Sequence, residues 1–399
     1  MATTLDTRPA LPLREAPHIA PTRPDEPRED PALLDAIVPR THTAARDGRV
    51  WRPRRVLLTR AARAWPMADR IAERASAMGA EIVELTGDQV RGLTGATPAE
   101  TYRLAKSTLA VTVASPSKMR PQPIPPSADW RFDIATGCPA HCQYCYLAGS
   151  LKGPPVTRVH ANLPEILDGL APVVGQGTIT SRDAARAHEG TTFEASCYTD
   201  PLGIEPVTGA LSETVAWFGR WRDDVQLRFT TKYDGVAPLL GIEHRGRTRA
   251  RFSVNAESVT RRFEGGTARL DDRLAAMGRM AEAGYPVGLT IAPIMPVEGW
   301  REAYRALLRG AARALSRTNR PDVTAELITH RFTPGSKEVL LGWYPATALE
   351  MDEAVRAQKR TKFGSVKYVY PKALMHEMRD ALSLMVEEEL PEARVLYWT

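Results

Sequence analysis

Apolar and polar positions alternate between residues 129 and 345 with a regularity that the flanking regions lack. β-rich apolar runs fall at 131–135, 192–197, 226–231, 250–254, 287–293 and 324–329. Stretches with apolar residues at helical spacing lie between them at 164–172, 211–221, 269–283 and 300–315, with a shorter one at 236–240. Six strands alternating with helices predict a parallel sheet joined by right-handed crossovers. Periodicity leaves open whether that sheet stays open or curls toward a barrel. Upstream, a strand at 56–59, an amphipathic helix at 64–78 stopped by Gly79, and a strand at 81–85 predict a small βαβ-like unit, with 108–113 as a further strand. Residues 115–128 carry five prolines in fourteen positions and read as a semi-rigid connector. Residues 1–48 carry eight prolines, many charges and no apolar period, and read as a disordered tail. The expected division is a tail over 1–48, an N-terminal α/β unit with its linker over 49–128, the alternating region over 129–345 and a C-terminal region over 346–399.

Composition removes several classes. With 43% apolar and 25% charged residues, the 399-residue chain has the make-up of a soluble globular protein and the length for a large core. It has no run of about 18 uncharged apolar residues, so no membrane span is expected. The start of the chain has prolines and charges where a signal peptide needs an apolar stretch, which argues for a cytoplasmic location. Four cysteines are too few for a disulfide scaffold, so reduced thiols are expected. Lys and Arg number 53 against 47 Asp and Glu, a net charge of +6, and all but nine of the cations are arginine. Such a balance permits nucleic-acid binding without demanding it.

The chemistry concentrates after the first strand of the alternating region, in TGCPAHCQYCY at 136–146. Cys138, Cys142 and Cys145 are spaced C-x3-C-x2-C on a loop at the carboxyl end of a strand, where active sites of α/β proteins collect. Three thiolates at this spacing can converge on one metal centre. A structural zinc site wants four ligands and the second C-x2-C knuckle is missing, although Cys197 and His141 could complete one. Spacing therefore favours an iron–sulfur cluster, with zinc left open. By itself, Cys197 reads as a small buried hydrophobe at the end of a strand.

An aromatic residue before the third cysteine of such a triplet marks radical S-adenosylmethionine (SAM) enzymes. The wider chain resembles one branch of them, the spore photoproduct lyases. The resemblance runs through AKSTL, GCPAHCQYCYL, FEASCYTDPLGIEP, LRFTTKYD, RFSVNAESV, AEAGYPVGLTIAPI, EGW, ELITHRFTP and KFGSVKYVYPK, from about residue 50 to 399. It implies a partial (β/α)6 barrel with a small N-terminal α/β extension and a C-terminal hairpin and helix. It implies a [4Fe–4S] cluster on Cys138, Cys142 and Cys145, with SAM chelated to it and an electron donor such as flavodoxin or ferredoxin. The implied reaction reverses the methylene-bridged thymine dimer called spore photoproduct, in DNA, through a 5′-deoxyadenosyl radical. Carried over by motif, Cys197 is the hydrogen-atom donor, and Tyr144 and Tyr146 relay a hydrogen atom back toward SAM. Lys232, Ser253, Asn255 and Ala292 contact SAM. Tyr144 and Tyr146 can equally pack beside a cluster, and Lys232 can equally form an ion pair with Asp234.

For DNA, Arg356, Lys359, Arg360, Lys362 and Lys367 alternate with Phe363, Tyr368 and Tyr370, around a Gly364-Ser365 turn suited to a hairpin. A solvated charged face is the competing reading. The resemblance places Lys362 and Phe363 at the hairpin tip where the family carries Arg-Tyr, so charge and aromaticity persist without the bidentate fork or the phenol. Cys197-Tyr198-Thr199-Asp200 replaces the more usual Cys-Thr-Ser-Asp, and Gln143 stands where histidine is common. These departures leave room for a related radical SAM enzyme acting on another nucleic-acid or small-molecule substrate.

Overall fold

All six expected strands form, and they run the same way. The computed structural model describes residues 49–150, 153–360, 364 and 366–399. A first sheet takes β1 (Arg55–Leu58), β2 (Glu81–Glu84) and β3 (Thr108–Thr112). After an edge strand β4 (Gln122–Ile124) and β5 (Ala128–Phe132), the chain returns to this first sheet with β6 (Ala135–Thr136). It then makes β7 (His141–Cys142) and adds β8 (Thr157–His160), giving the order β2-β1-β3-β8-β6. The second sheet continues from β5 through β9 (Thr191–Ala195), β10 (Val225–Thr231) and β11 (Thr248–Val254). Past a two-residue strand β12 (Glu264–Gly265), β13 (Val287–Ile294) and β14 (Val323–Thr329) complete the parallel run. A hairpin of β15 (Ala357–Arg360) and β16 (Val366–Val369) precedes β17 (Ala393–Trp398), which adds to β14 in parallel. The eight-stranded order is β17-β14-β13-β11-β10-β9-β5-β4, with antiparallel β4 and parallel β17 as unjoined edges.

The alternation of the six strands separates two surfaces. Phe132, Phe193, Leu227, Phe229, Phe252 and Leu289 are buried on the face covered by helices, including Ala210–Arg220, Leu270–Glu282 and Trp300–Leu315. The opposite face is polar across the sheet: Arg131 pairs in register with Glu194, Glu194 with Arg228, Ser253 with Thr290, and Thr290 with Glu326. Arg251 lies within 2.6 Å of Glu194 and 2.7 Å of Glu326 and is 1% exposed. Such charges persist in a core only when each has its counter-ion.

Three expectations are corrected at their edges. The first strand of the alternating region lies at Ala128–Phe132 rather than 131–135. The strand expected over 192–197 stops at Ala195 because Ser196 takes a φ of 55°, the left-handed region, and turns the chain off the sheet. The connector supplies β4, whose Pro123 is tolerated because β4 is an edge. The helices Pro201–Thr208, Glu257–Phe263 and Pro334–Trp343 were not anticipated, whereas Lys372–Glu389 is a helix in the C-terminal region where one was expected. Among the described residues no helix is long and apolar enough to cross a membrane.

Candidate active site

The three-cysteine loop leaves β6 through Gly137, at φ 76°. A Cβ there would sit 2.2 Å from the Val156 carbonyl oxygen, so only glycine lets the chain pass β8 this closely. Buried Lys106, at the end of the helix Pro98–Lys106, donates from Nζ to the carbonyls of Cys138 and Ala140, both at 2.5 Å. On the other side β7 pairs antiparallel with β12, setting Cys142 opposite Glu264 and His141 opposite Gly265. The Gln143 amide donates to the Phe263 carbonyl at 2.8 Å, and its side chain accepts from Thr347 Oγ1 at 2.5 Å. The loop is thus held largely by its backbone. Burial pushes the Cys138 thiol up to about 12 and that of Cys142 higher still, opposed by Lys106 at Cys138 and by Lys232 at Cys142, with Cys145 adding a smaller upward push to both.

Those thiols offer three of the ligands an iron–sulfur cluster takes. Among the described residues no group of three or more His, Cys, Asp or Glu side chains could hold a metal ion. A mononuclear site needs all its ligands about 2 Å from one point, whereas an iron–sulfur cluster takes one cysteine per iron. Three free cysteines on one loop match the second demand in number.

A hydrogen-bonded chain joins this loop to the strand ends. Tyr144 donates its hydroxyl to Glu264, and Lys232 Nζ lies 2.8 Å from Glu264 Oε1 and 3.2 Å from the Tyr144 oxygen. Arg273 closes on the other carboxylate oxygen at 2.5 Å. Burial pushes the Glu264 carboxyl upward, but Lys232 and Arg273 outweigh it and hold the group at about 2. Lys232 therefore pairs with Glu264 and not with Asp234, which instead accepts from the Arg49 amide. The Lys232 amide donates to Asp200, which also accepts from Thr231 and caps the helix Pro201–Thr208 through Gly203.

Cys197 sits on the turn between Ala195 and that helix. Ser196 Oγ accepts from the amides of Ile134 and Ala135 at 2.9 and 3.1 Å, fastening the turn to the entrance of the cysteine loop. Tyr146, 63% exposed, reaches over to donate its hydroxyl to the Cys197 carbonyl. Burial, aided by Glu194 and Asp133 and opposed by Arg131, pushes the Cys197 thiol up to about 12, so it stays an S–H at neutral pH.

Of the sequence-expected residues, Cys197, Tyr144, Tyr146 and Lys232 are therefore linked to the loop of Cys138, Cys142 and Cys145 by direct bonds. Ser253 joins through its carbonyl, which accepts from Arg273 at 2.9 Å. Ala292 lies half-buried near the end of β13. Asn255 is fully buried and turned inward: it donates to the Pro293 carbonyl and accepts from Tyr304 and the Ala256 amide. Arg356 is buried too, held by Glu350 and His330 with its guanidinium 3.7 Å from the Tyr370 ring centroid, so it faces no phosphate. Lys362 and Phe363 lie outside the described residues. Sequence reasoning missed Lys106, Glu264, Arg273 and Asp200; the one local signal was Gly265-Gly266, where a Cβ on Gly266 would meet the His141 ring at 2.8 Å.

The fold and site define an open, mostly parallel α/β sheet carrying a three-cysteine loop beside a fourth, separate cysteine. The family model for spore photoproduct lyase matches residues 51–399. The chain is 40% identical over 348 residues to the spore photoproduct lyase of Bacillus subtilis (strain 168), covering 87% of this chain and 98% of that one. It is 38% identical over the same length to that of Geobacillus sp. (strain Y412MC61), with the same coverage. Among solved structures, a spore photoproduct lyase complexed with dinucleoside spore photoproduct superimposes with a TM-score of 0.79 at 39% identity, covering 87% of this chain and 99% of that one. A double mutant with bound AdoMet and dinucleoside spore photoproduct matches at the same TM-score and 38% identity. The chain belongs to the spore photoproduct lyase family.

Proposed function

We propose that this protein is a radical SAM DNA-repair lyase that returns spore photoproduct to two thymines, with Cys197 as hydrogen-atom donor. The observation that carries the reading is the placement of Cys197, whose carbonyl accepts the Tyr146 hydroxyl and is thereby tied to the loop of the other three cysteines. Relatives that bind AdoMet and dinucleoside spore photoproduct support it. Cys138, Cys142 and Cys145 would hold a [4Fe–4S] cluster, which together with SAM supplies a 5′-deoxyadenosyl radical. Lys232, released from Glu264, would reach a SAM carboxylate or ribose hydroxyl; Ser253 and Ala292 line the adjoining strand ends, and Asn255 braces them from behind. Cys197 gives its hydrogen atom to the thymine methyl radical. Tyr146 and then Tyr144 would restore it.

The same proposal includes a partial (β/α)6 barrel and the division at 49–128, 129–345 and 346–399. It includes a lesion-containing DNA strand met by Lys362 and Phe363, a flavodoxin- or ferredoxin-like reductant, and a cytoplasmic location.

The test is an anaerobic assay of reconstituted protein with dithionite, SAM and a synthetic spore-photoproduct dinucleotide. Thymine release is expected. 5′-Deoxyadenosine without thymine would keep the radical chemistry and overturn the substrate; absence of SAM cleavage from a fully loaded protein would overturn both.

A further inference from the structure

The side chains surrounding Cys197 are not used by the reading above. Arg131, on the polar face of β5, brings Nη1 to 4.0 Å from Cys197 Sγ and 3.3 Å from Asp133 Oδ2. Its Nη2 donates to Gln122 on β4, and its guanidinium carbon stands 4.6 Å from the centroid of the Tyr198 ring. Three protein segments thus converge on one cation: β4, β5 with the residue just past it, and the turn that bears Cys197. Asp133 has Arg131 as its hydrogen-bond partner among the described residues, and its Oδ1 is buried without any. That carboxylate is committed to the guanidinium.

A guanidinium only donates, whereas a thiol accepts at sulfur and donates through S–H. With an Arg131 N–H aimed at the sulfur lone pair, the thiol hydrogen must point elsewhere. We propose that Arg131 is a positioning residue for hydrogen-atom transfer: clamped by Asp133, Gln122 and Tyr198, it fixes the Cys197 sulfur so that S–H faces the substrate radical. The inference rests on the reading of Cys197 as donor. In the step itself the S–H bond breaks homolytically, the hydrogen atom forms a C–H bond at the thymine methyl radical, and Cys197 is left a thiyl radical. No proton is released, and Arg131 keeps its charge and its contact throughout.

The experiment compares Arg131→Met, Arg131→Lys and Asp133→Asn in the reconstituted enzyme with dinucleotide spore photoproduct, reading thymine against diverted products per 5′-deoxyadenosine formed. Arg131→Met is expected to lower the thymine fraction on the order of tenfold, since small misplacements of a reacting group are costly. Arg131→Lys, which keeps an N–H donor, should recover part of it, and Asp133→Asn should shift it in the same direction by less. A purely structural Arg131 would lower the amount of folded protein without moving this ratio. A parental ratio in both Arg131→Met and Asp133→Asn, while Cys197→Ala shifts it, overturns the inference. If Arg131→Met fails to fold, Asp133→Asn and Tyr198→Leu decide it by the same ratio. An unchanged ratio in Cys197→Ala overturns the donor reading itself.

Discussion

The two cysteine environments of this protein are built in opposite ways. The triplet Cys138, Cys142 and Cys145 is held largely by its main chain, with Lys106 under two carbonyls and β12 along one edge, while Lys106 and Lys232 act on the Cys138 and Cys142 sulfurs only through their charge. Cys197 is held by its surroundings: a left-handed residue before it, a guanidinium against its sulfur, and burial, aided by nearby carboxylates, that raises its thiol. Sulfurs destined for metal must be free to deprotonate and bond. A sulfur that gives up a hydrogen atom must keep that hydrogen and aim it. Burial raises the thiols of Cys138 and Cys142 as it raises that of Cys197, so the two environments differ in what holds each cysteine and not in its protonation.

Substitutions can break the contrast. Cys138→Ala, Cys142→Ala or Cys145→Ala should abolish iron–sulfur absorbance and 5′-deoxyadenosine formation together, read by iron analysis and chromatography. Cys197→Ser should keep its iron but divert most of the product away from thymine, read by chromatography of the same assay. Equal iron loss in Cys197→Ser would make it a fourth ligand and end the distinction. Lys106→Met leaves two loop carbonyls without their donor, a cost of about 1–3 kcal/mol for each buried group left unsatisfied. Its expected signature is a lower thermal midpoint with weakened iron retention, while Cys197 alkylation in the same sample is little changed.

The smallest effect concerns the scaffold alone. Burial, followed by nearby cations, lowers His160 to about 4 and His330 to about 3, so both fold as neutral rings. Their folded values lie below the unfolded value near 6.5. Stability from these residues is therefore complete above about pH 6.5 and lost as pH falls through the window toward 4 and 3. Urea midpoints should fall between pH 7.5 and 5, and His330→Asn should flatten part of that slope.

Much of the frame was legible because strand and helix periods are properties of neighbouring residues. The six parallel strands and the helix Trp300–Leu315 follow from period alone. The site was legible where its residues share a motif, as the cysteine triplet does. What escaped notice arises from packing between distant segments. Glu264 reads as a loop charge until Lys232, Arg273 and Tyr144 surround it, and Lys106 reads as a helix-end cation until the loop folds onto it. Cys197 was expected to end its strand, and a single φ at Ser196 removes it from the sheet.

The hairpin of β15 and β16 has a root as definite as a bracket on a wall. Phe332 and Tyr368 exchange both main-chain hydrogen bonds, at 3.2 and 2.8 Å, and their rings stack with centroids 5.3 Å apart. Tyr368 sits within the ladder of Ala357–Arg360 against Val366–Val369, and two pairs, Lys359 with Lys367 and Arg360 with Val366, extend beyond it. At about 3.4 Å per residue that stretch is a ruler roughly 7 Å long. Adding one residue to each arm would turn the side chains beyond it to the opposite face, whereas adding two would preserve their facing and lengthen the reach by about 7 Å. The reach of the ladder beyond its root is thus graduated in whole residue pairs, and chain length there sets reach and orientation at once.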